Sequence, residues 1–320
     1  MLAVWLENRR LTVKVNLSPP EPGAGEALIK VLLAGICATD LELVRGYYPF
    51  VGILGHEFVG EIIAAPGNNQ LEGRRVVGEI NLVCGNCPAC SSGRSHHCQN
   101  RTVLGIVGKD GAFAEFLTLP VKNLHTVPES IPDEWAVFCE PLAAALEILE
   151  QVHILPSHRV LVIGAGRLGQ LIARAIALAG CELAVVTRWD AQIDLLAKAG
   201  VPSIKEKDIS PGTWDVVIEA TGSPDGFKIA REAVRAKGII ILKSTYKGNL
   251  ELNISSLVVD EITLVGSRCG PFSPALHLLQ SKQVDPTPLI SNRYPLSRAI
   301  EAFELAAQPG VFKVLLDPAE

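Results

Sequence analysis

Two textures of hydrophobic patterning divide the chain. Through residues 1–135 the apolar runs are short, many alternate with polar positions, and they stop at Gly or Pro. Examples are ALIKVLLAG (27–35), FVGEIIAA (58–65), RRVVGEI (74–80) and AEFLTL (114–119). Runs of this kind predict a β-rich, barrel- or sandwich-like domain. From about residue 140 the pattern lengthens. LAAALEILEQV (142–152) reads as helix, and RVLVIGAGRLGQLIARAIALAG (159–180) reads as a buried strand, a glycine turn and a helix. Strands at 181–187, 213–223, 238–245 and 261–267 then alternate with helices at 191–200 and 227–238. That alternation predicts an α/β unit with a parallel, doubly wound sheet. Beyond 273 the texture changes again, to a helical SPALHLLQ, a helix at 296–307 and a terminal strand at 312–316.

A length of 320 residues suffices for two domains. The net charge of −5, without a basic stripe, makes nucleic acid an unexpected partner. No apolar stretch reaches membrane-spanning length, and the N-terminal apolar run is too short for a signal peptide, with its charges following rather than preceding it. A cytoplasmic location is expected. That matters for the eight cysteines, at 37, 84, 87, 90, 98, 139, 181 and 269. A reducing compartment disfavours structural disulfides, so clustered thiols there point to metal or catalysis.

The densest cluster is CGNCPACSSGRSHHC (84–98), spaced C-x2-C-x2-C-x7-C. Thiolates from Cys84, Cys87, Cys90 and Cys98 on one glycine-bearing loop suit a closed tetrahedral zinc site. An iron–sulfur cluster is the rival, because ferredoxin runs share the early spacing, but those end C-x3-C-P and this one does not. His96 and His97 lie beside the set, and Cys98 completes it without them.

The glycine turn reads Gly164-Ala165-Gly166-Arg167-Leu168-Gly169. It follows the strand VLVI and opens a helix, the context in which G-x-G-x-x-G receives a pyrophosphate. The first glycine permits the turn, the second the approach of the ligand, the third close helix–strand packing, and the helix N-terminus offers free N–H groups. At the end of the next strand an acid would mark NAD. Thr187-Arg188 stands there instead, with no acid before Asp190. A hydroxyl and a guanidinium suit a 2′-phosphate, so NADP(H) is favoured over NAD(H).

A second donor set is dispersed: Cys37, Thr39 and Asp40 in GICATD, His56 and Glu57 in GHEFVG, and Glu140 in FCEPL. Singly, each has an ordinary reading as a core thiol, a buried histidine or a helix-start acid favoured by the dipole. Beside a nucleotide turn and a thiol loop, the three together point to a further metal centre. The four tryptophans show no spacing that suggests a site and are read as packing.

With GICATD, GHEFVGEI, CGNCPACSSGRSHHC, CEPLAAAL and GAGRLG in this order over nearly its whole length, the chain resembles the zinc-dependent medium-chain dehydrogenase/reductase superfamily of alcohol, sorbitol and threonine dehydrogenases. The resemblance implies a GroES-like β catalytic domain over 1–148, rejoined by 273–320, and a Rossmann NAD(P)-binding domain over 149–272. It implies two zinc ions per chain. One is structural, on the four-cysteine loop. The other is catalytic, on Cys37, His56 and Glu140, with Glu57 as an alternative ligand. Asp40 would hold the imidazole, and Thr39 takes the place of the proton-relay hydroxyl. The implied partner is a small-molecule alcohol, polyol or matching carbonyl, and the implied assembly is a homodimer or homotetramer. Two departures bear on substrate: Glu42 stands where some members carry a relay histidine, and only eighteen residues separate Cys37 from His56. A non-catalytic NADP-binding sensor or scaffold, and a zinc-free quinone-reductase-like enzyme, are the alternatives. Neither needs an open set of zinc ligands.

Overall fold

The computed structural model describes residues 1–246 and 249–319. They form two compact units, 1–140 with 272–320, and 141–271. The division between them lies in the first turn of the helix Cys139–Gln151.

The spine of the first unit is the strand Glu26–Gly35. It pairs antiparallel with Glu57–Ala64, Phe116–Pro120 and Lys313–Asp317. Ala27, Ile29, Val31 and Leu33 are all buried, the period of two that a half-buried strand requires. In register, Gly35 faces both Glu57 and Leu315. The chain then turns into the helix Ala38–Val44. One end of this sheet therefore gathers residues from three distant segments. The four-cysteine loop is irregular, with a one-turn helix at Pro88–Ser91 and a 3-10 turn at Ser95–His97.

Among the described residues, the second unit holds a six-stranded parallel sheet. Its order is 203–204, 182–186, 159–163, 214–219, 234–242 and 263–266. The winding reverses between 159–163 and 214–219, and the crevice outside their carboxyl ends is where such sheets take ligands. Leu161, Ile163, Val217 and Ile240 from the strands pack with Phe227, Ala230 and Ala233 from the helix Pro224–Ala233. That helix stops before the expected 238. Val234 already lies in the next strand, buried and paired with Trp214. Sheet pairing of a β-branched residue overrides the helical composition of the segment. No helix of the described residues is long and apolar enough to cross a membrane.

Candidate functional site

Cys37 sits where the spine strand gives way to the helix Ala38–Val44, as its N-cap. The Asp40 carboxylate, three residues on, accepts the Cys37 backbone N–H at 2.8 Å through Oδ2. Its other oxygen lies 3.3 Å from His56 Nδ1. One buried carboxylate therefore touches both the helix start and the ring, and a ring held through Nδ1 keeps Nε2 available to a metal. Gly35–Glu57 pairing brings the two loops together. One donor atom from each of Cys37, His56 and Glu57 lies within 4.8 Å of the other two. The Cys37 thiol also reaches the Thr39 hydroxyl at 3.8 Å.

The trio fits a cation. Burial works against a charge on His56, yet the charges of Asp40 and Cys37 outweigh it and hold the imidazole well above its usual range. A ring so placed takes up a proton unless a metal ion supplies the positive charge. Glu57 is 1% exposed and ion-paired to the equally buried Lys313 of the terminal strand. The Lys313 ammonium also stands over the Phe138 ring, 5.5 Å from its centroid. Glu140 is half-buried at the start of its helix and does not join the trio within 4.8 Å. Burial, then the charges of Glu140 and Glu79, push the adjacent Cys139 thiol well up. It donates to the Phe272 carbonyl at 3.8 Å and stays unreactive. Glu42, at the relay-histidine position, pairs with Arg45 on the surface.

All eight cysteines are free thiols. Cys84, Cys87, Cys90 and Cys98 converge, with Cys87–Cys90 and Cys84–Cys98 sulfurs 3.5 Å apart and Cys87–Cys98 3.9 Å apart. Tetrahedral zinc with Zn–S bonds of about 2.3 Å sets its sulfurs about 3.8 Å apart, so the donors are already at metal spacing. Backbone N–H groups of Gln99 and Cys90 bring the Cys87 thiol down to about 6. Burial and the Cys87 neighbour push Cys90 up to about 11. Neither His96 nor His97 belongs to the set.

In the second unit the turn 164–169 ends the strand Arg159–Ile163 and opens the helix Arg167–Ala177, with Gly166 as N-cap. Gly164 has φ of +102°, and a Cβ on Gly169 would lie 1.9 Å from the Gly164 carbonyl oxygen. Both positions demand glycine. Beside Gly166 the space a Cβ would take is open, as a cradle for a diphosphate requires. Thr187 is buried and turns its hydroxyl inward to the Ile204 carbonyl at 3.4 Å, so Arg188, which is exposed, is the outward-facing member of the pair. Trp189 departs from its expected packing role: it is 56% exposed beside Arg188.

Three polar side chains near these elements escaped the sequence reading: Lys313, paired with Glu57, and Gln170 and Gln192, which hydrogen-bond to the Ala165 carbonyl of the glycine turn and to the Arg188 N–H. Lys313 had a faint signal, a lone charge at the head of the apolar terminal strand. The two glutamines had none, since polar residues on helices are ordinary.

Residues 23–129 match the alcohol dehydrogenase GroES-like domain family. Over 317 residues the chain is 34% identical to an L-threonine 3-dehydrogenase of Pyrococcus horikoshii, covering 91% of this chain and 90% of that one. A structure described as a zinc-binding dehydrogenase from Sinorhizobium meliloti, bound to NADP, superposes with a TM-score of 0.92 at 29% identity, over 99% of each chain. A structure described as a short chain alcohol dehydrogenase from Escherichia coli CFT073, complexed with NADH, gives 0.91 at 27% identity, again over 99% of each.

Proposed function

Because the chain belongs to the zinc-dependent medium-chain dehydrogenase/reductase superfamily, we propose that this NAD(P)-dependent oxidoreductase oxidises a small alcohol or polyol, or reduces the matching carbonyl, at a catalytic zinc and with NADP(H) preferred. The observation that carries the reading is the convergence of the half-buried Cys37 with the buried His56 and Glu57, with Thr39 and Asp40 around them. Zinc bound there supplies Lewis acidity to the substrate oxygen, and the nicotinamide exchanges the hydride.

The chain's own residues do the rest. Cys37 and His56 hold the metal, Asp40 keeps the imidazole in its ligating tautomer, and Glu140 is the further carboxylate offered as a ligand beside Glu57. Lys313 balances the buried charge of Glu57. The Thr39 hydroxyl accepts the substrate proton and passes it outward. The four-cysteine loop holds a second, structural zinc. The segment Gly164–Gly169 takes the diphosphate on its helix N-terminus, and Arg188 marks the 2′-phosphate, while Thr187, expected to share that contact, turns its hydroxyl inward to the Ile204 carbonyl. One structural relative is bound to NADP and another to NADH, so the preference rests on Arg188 in place of an acid at the end of the second strand.

The assay runs alcohols, polyols and 3-hydroxy amino acids with NADP and NAD in parallel, on protein of known zinc content. The 3-hydroxy amino acids enter because of the threonine-acting relative. Turnover is expected with at least one class. Cys37→Ser should lower it at least a hundredfold and remove one of two zinc equivalents. Unchanged turnover in that variant would sink the zinc mechanism, and cofactor binding without turnover across the panel would favour a sensor.

A further inference from the structure

The helix Arg167–Ala177 buries an amide and a guanidinium where apolar side chains would pack. Gln170 is 0% exposed and Arg174 6%, among Leu171, Ile172, Ala173, Ala175 and Ile176. Buried polar networks persist at low cost only when fully satisfied, and they then hold their elements in one geometry. This one is well supplied. Gln170 Nε2 donates to the Ala165 carbonyl at 3.4 Å and to the Gln192 carbonyl at 3.3 Å. Arg174 donates to Gln170 Oε1 at 2.7 Å and to the Leu195 carbonyl at 3.1 Å. Gln192, in the first turn of the helix Asp190–Lys198, continues the chain. Its Oε1 accepts the backbone N–H groups of Arg188 at 2.8 Å and Trp189 at 3.2 Å.

The path runs without a break from Ala165, inside the diphosphate turn, through Gln170 and Gln192 to the backbone that carries Arg188. Those are the two turns a dinucleotide must meet at once, one at its diphosphate and one at its adenosine ribose. The distance between them is fixed in the cofactor. A charge at the second turn acts on the ribose substituent only when its backbone is held at matching reach from the first, since each immobilisation left to binding weakens it.

We propose that Gln170 and Gln192 are positioning residues for cofactor selection: they tie the turn bearing Arg188 to the diphosphate turn and so set the preference for a 2′-phosphorylated nucleotide. The proposal rests on the reading of Arg188 as the 2′-phosphate contact.

The test is equilibrium binding of NADP and of NAD to the full chain by titration calorimetry, with thermal melting alongside. Gln192→Ala removes the acceptor of both amides. It should weaken NADP about tenfold while changing NAD less than twofold, a split that general destabilisation does not produce. Gln170→Glu keeps an acceptor for Arg174 but removes both donors, and should move the ratio in the same direction. Arg188→Ala should abolish the preference, and adding Gln192→Ala to it should change NADP no further, because the glutamine acts through the arginine. If Arg188→Ala abolishes the preference while Gln192→Ala and Gln170→Glu leave it within twofold, the positioning role is wrong and the cofactor reading stands. An Arg188→Ala variant with unchanged preference overturns the reading, and the positioning role with it.

Discussion

A buried carboxylate inside a protein needs either a metal or a partner, and Glu57 has the Lys313 ammonium as partner and a donor trio that fits a cation beside it. Its ion pair with Lys313 joins residues 256 positions apart, and the two side chains are almost wholly out of water. Breaking such a pair from one side leaves an uncompensated charge, which costs about 3 kcal/mol or more. Lys313→Met should therefore lower unfolding stability by about 3 kcal/mol, read from chemical denaturation of the zinc-loaded protein. An unchanged midpoint would mean that Glu57 is satisfied by the cation alone. His56 and Glu57 stand out in the sequence because they sit between glycines in a compact signature. Lys313 does not, because its partner comes from the far end of the chain.

At the level of elements, the four-cysteine loop and the glycine turn contrast in how they are built. The loop has only a one-turn helix and a 3-10 turn, and its small apolar cluster is formed by Cys87, Ala89 and Cys98 with Val83 and Cys90 around them. So little apolar area cannot order a segment of this length against its chain entropy. A metal on the thiols would do so. Cys87→Ser should cost one zinc equivalent by elemental analysis and lower Tm by about 5 °C or more, with the zinc on Cys37 and His56 retained. A wild-type melting curve would remove the structural role. The glycine turn depends instead on steric room. Gly169→Ala places a Cβ 1.9 Å from the Gly164 oxygen, and backbone must move to admit it. Overpacking of that kind costs about 2 kcal/mol, and dinucleotide binding should weaken at least tenfold by calorimetry. Both elements are readable from spacing, since each is local in sequence. The helix read to 238 is not, because its end is decided by the pairing of Val234 with Trp214.

For the whole molecule, the outstanding surface feature is on the second unit. Ile254, Val258 and Val259 on the short helix Ile254–Val259 are 59%, 68% and 79% exposed, and Leu264 on the edge strand Thr263–Gly266 is 41% exposed. An open sheet edge flanked by apolar side chains is a pairing surface in waiting. The homodimer or homotetramer implied by the family resemblance is placed there as a proposal. Val258→Glu should shift the mass seen by light scattering toward that of one chain, and an unaltered mass would put the interface elsewhere.

The sequence by itself determined what is local. Period-two and longer apolar patterns set the β-rich and doubly wound units, the thiol spacing defined one metal loop, and the turn Gly164–Gly169 defined the diphosphate end of a nucleotide site. These follow from interactions among residues within a turn or a strand of one another. Tertiary structure decided what depends on register and distance. Antiparallel pairing at Gly35 brought Cys37, His56 and Glu57 together and delivered Lys313 to them, while Glu140 stayed outside that trio. Packing of neighbouring helices joined Gln170 to Gln192. Such contacts arise only once long loops have closed, and no spacing along the chain encodes the few ångströms that make a donor set or a hydrogen-bonded path.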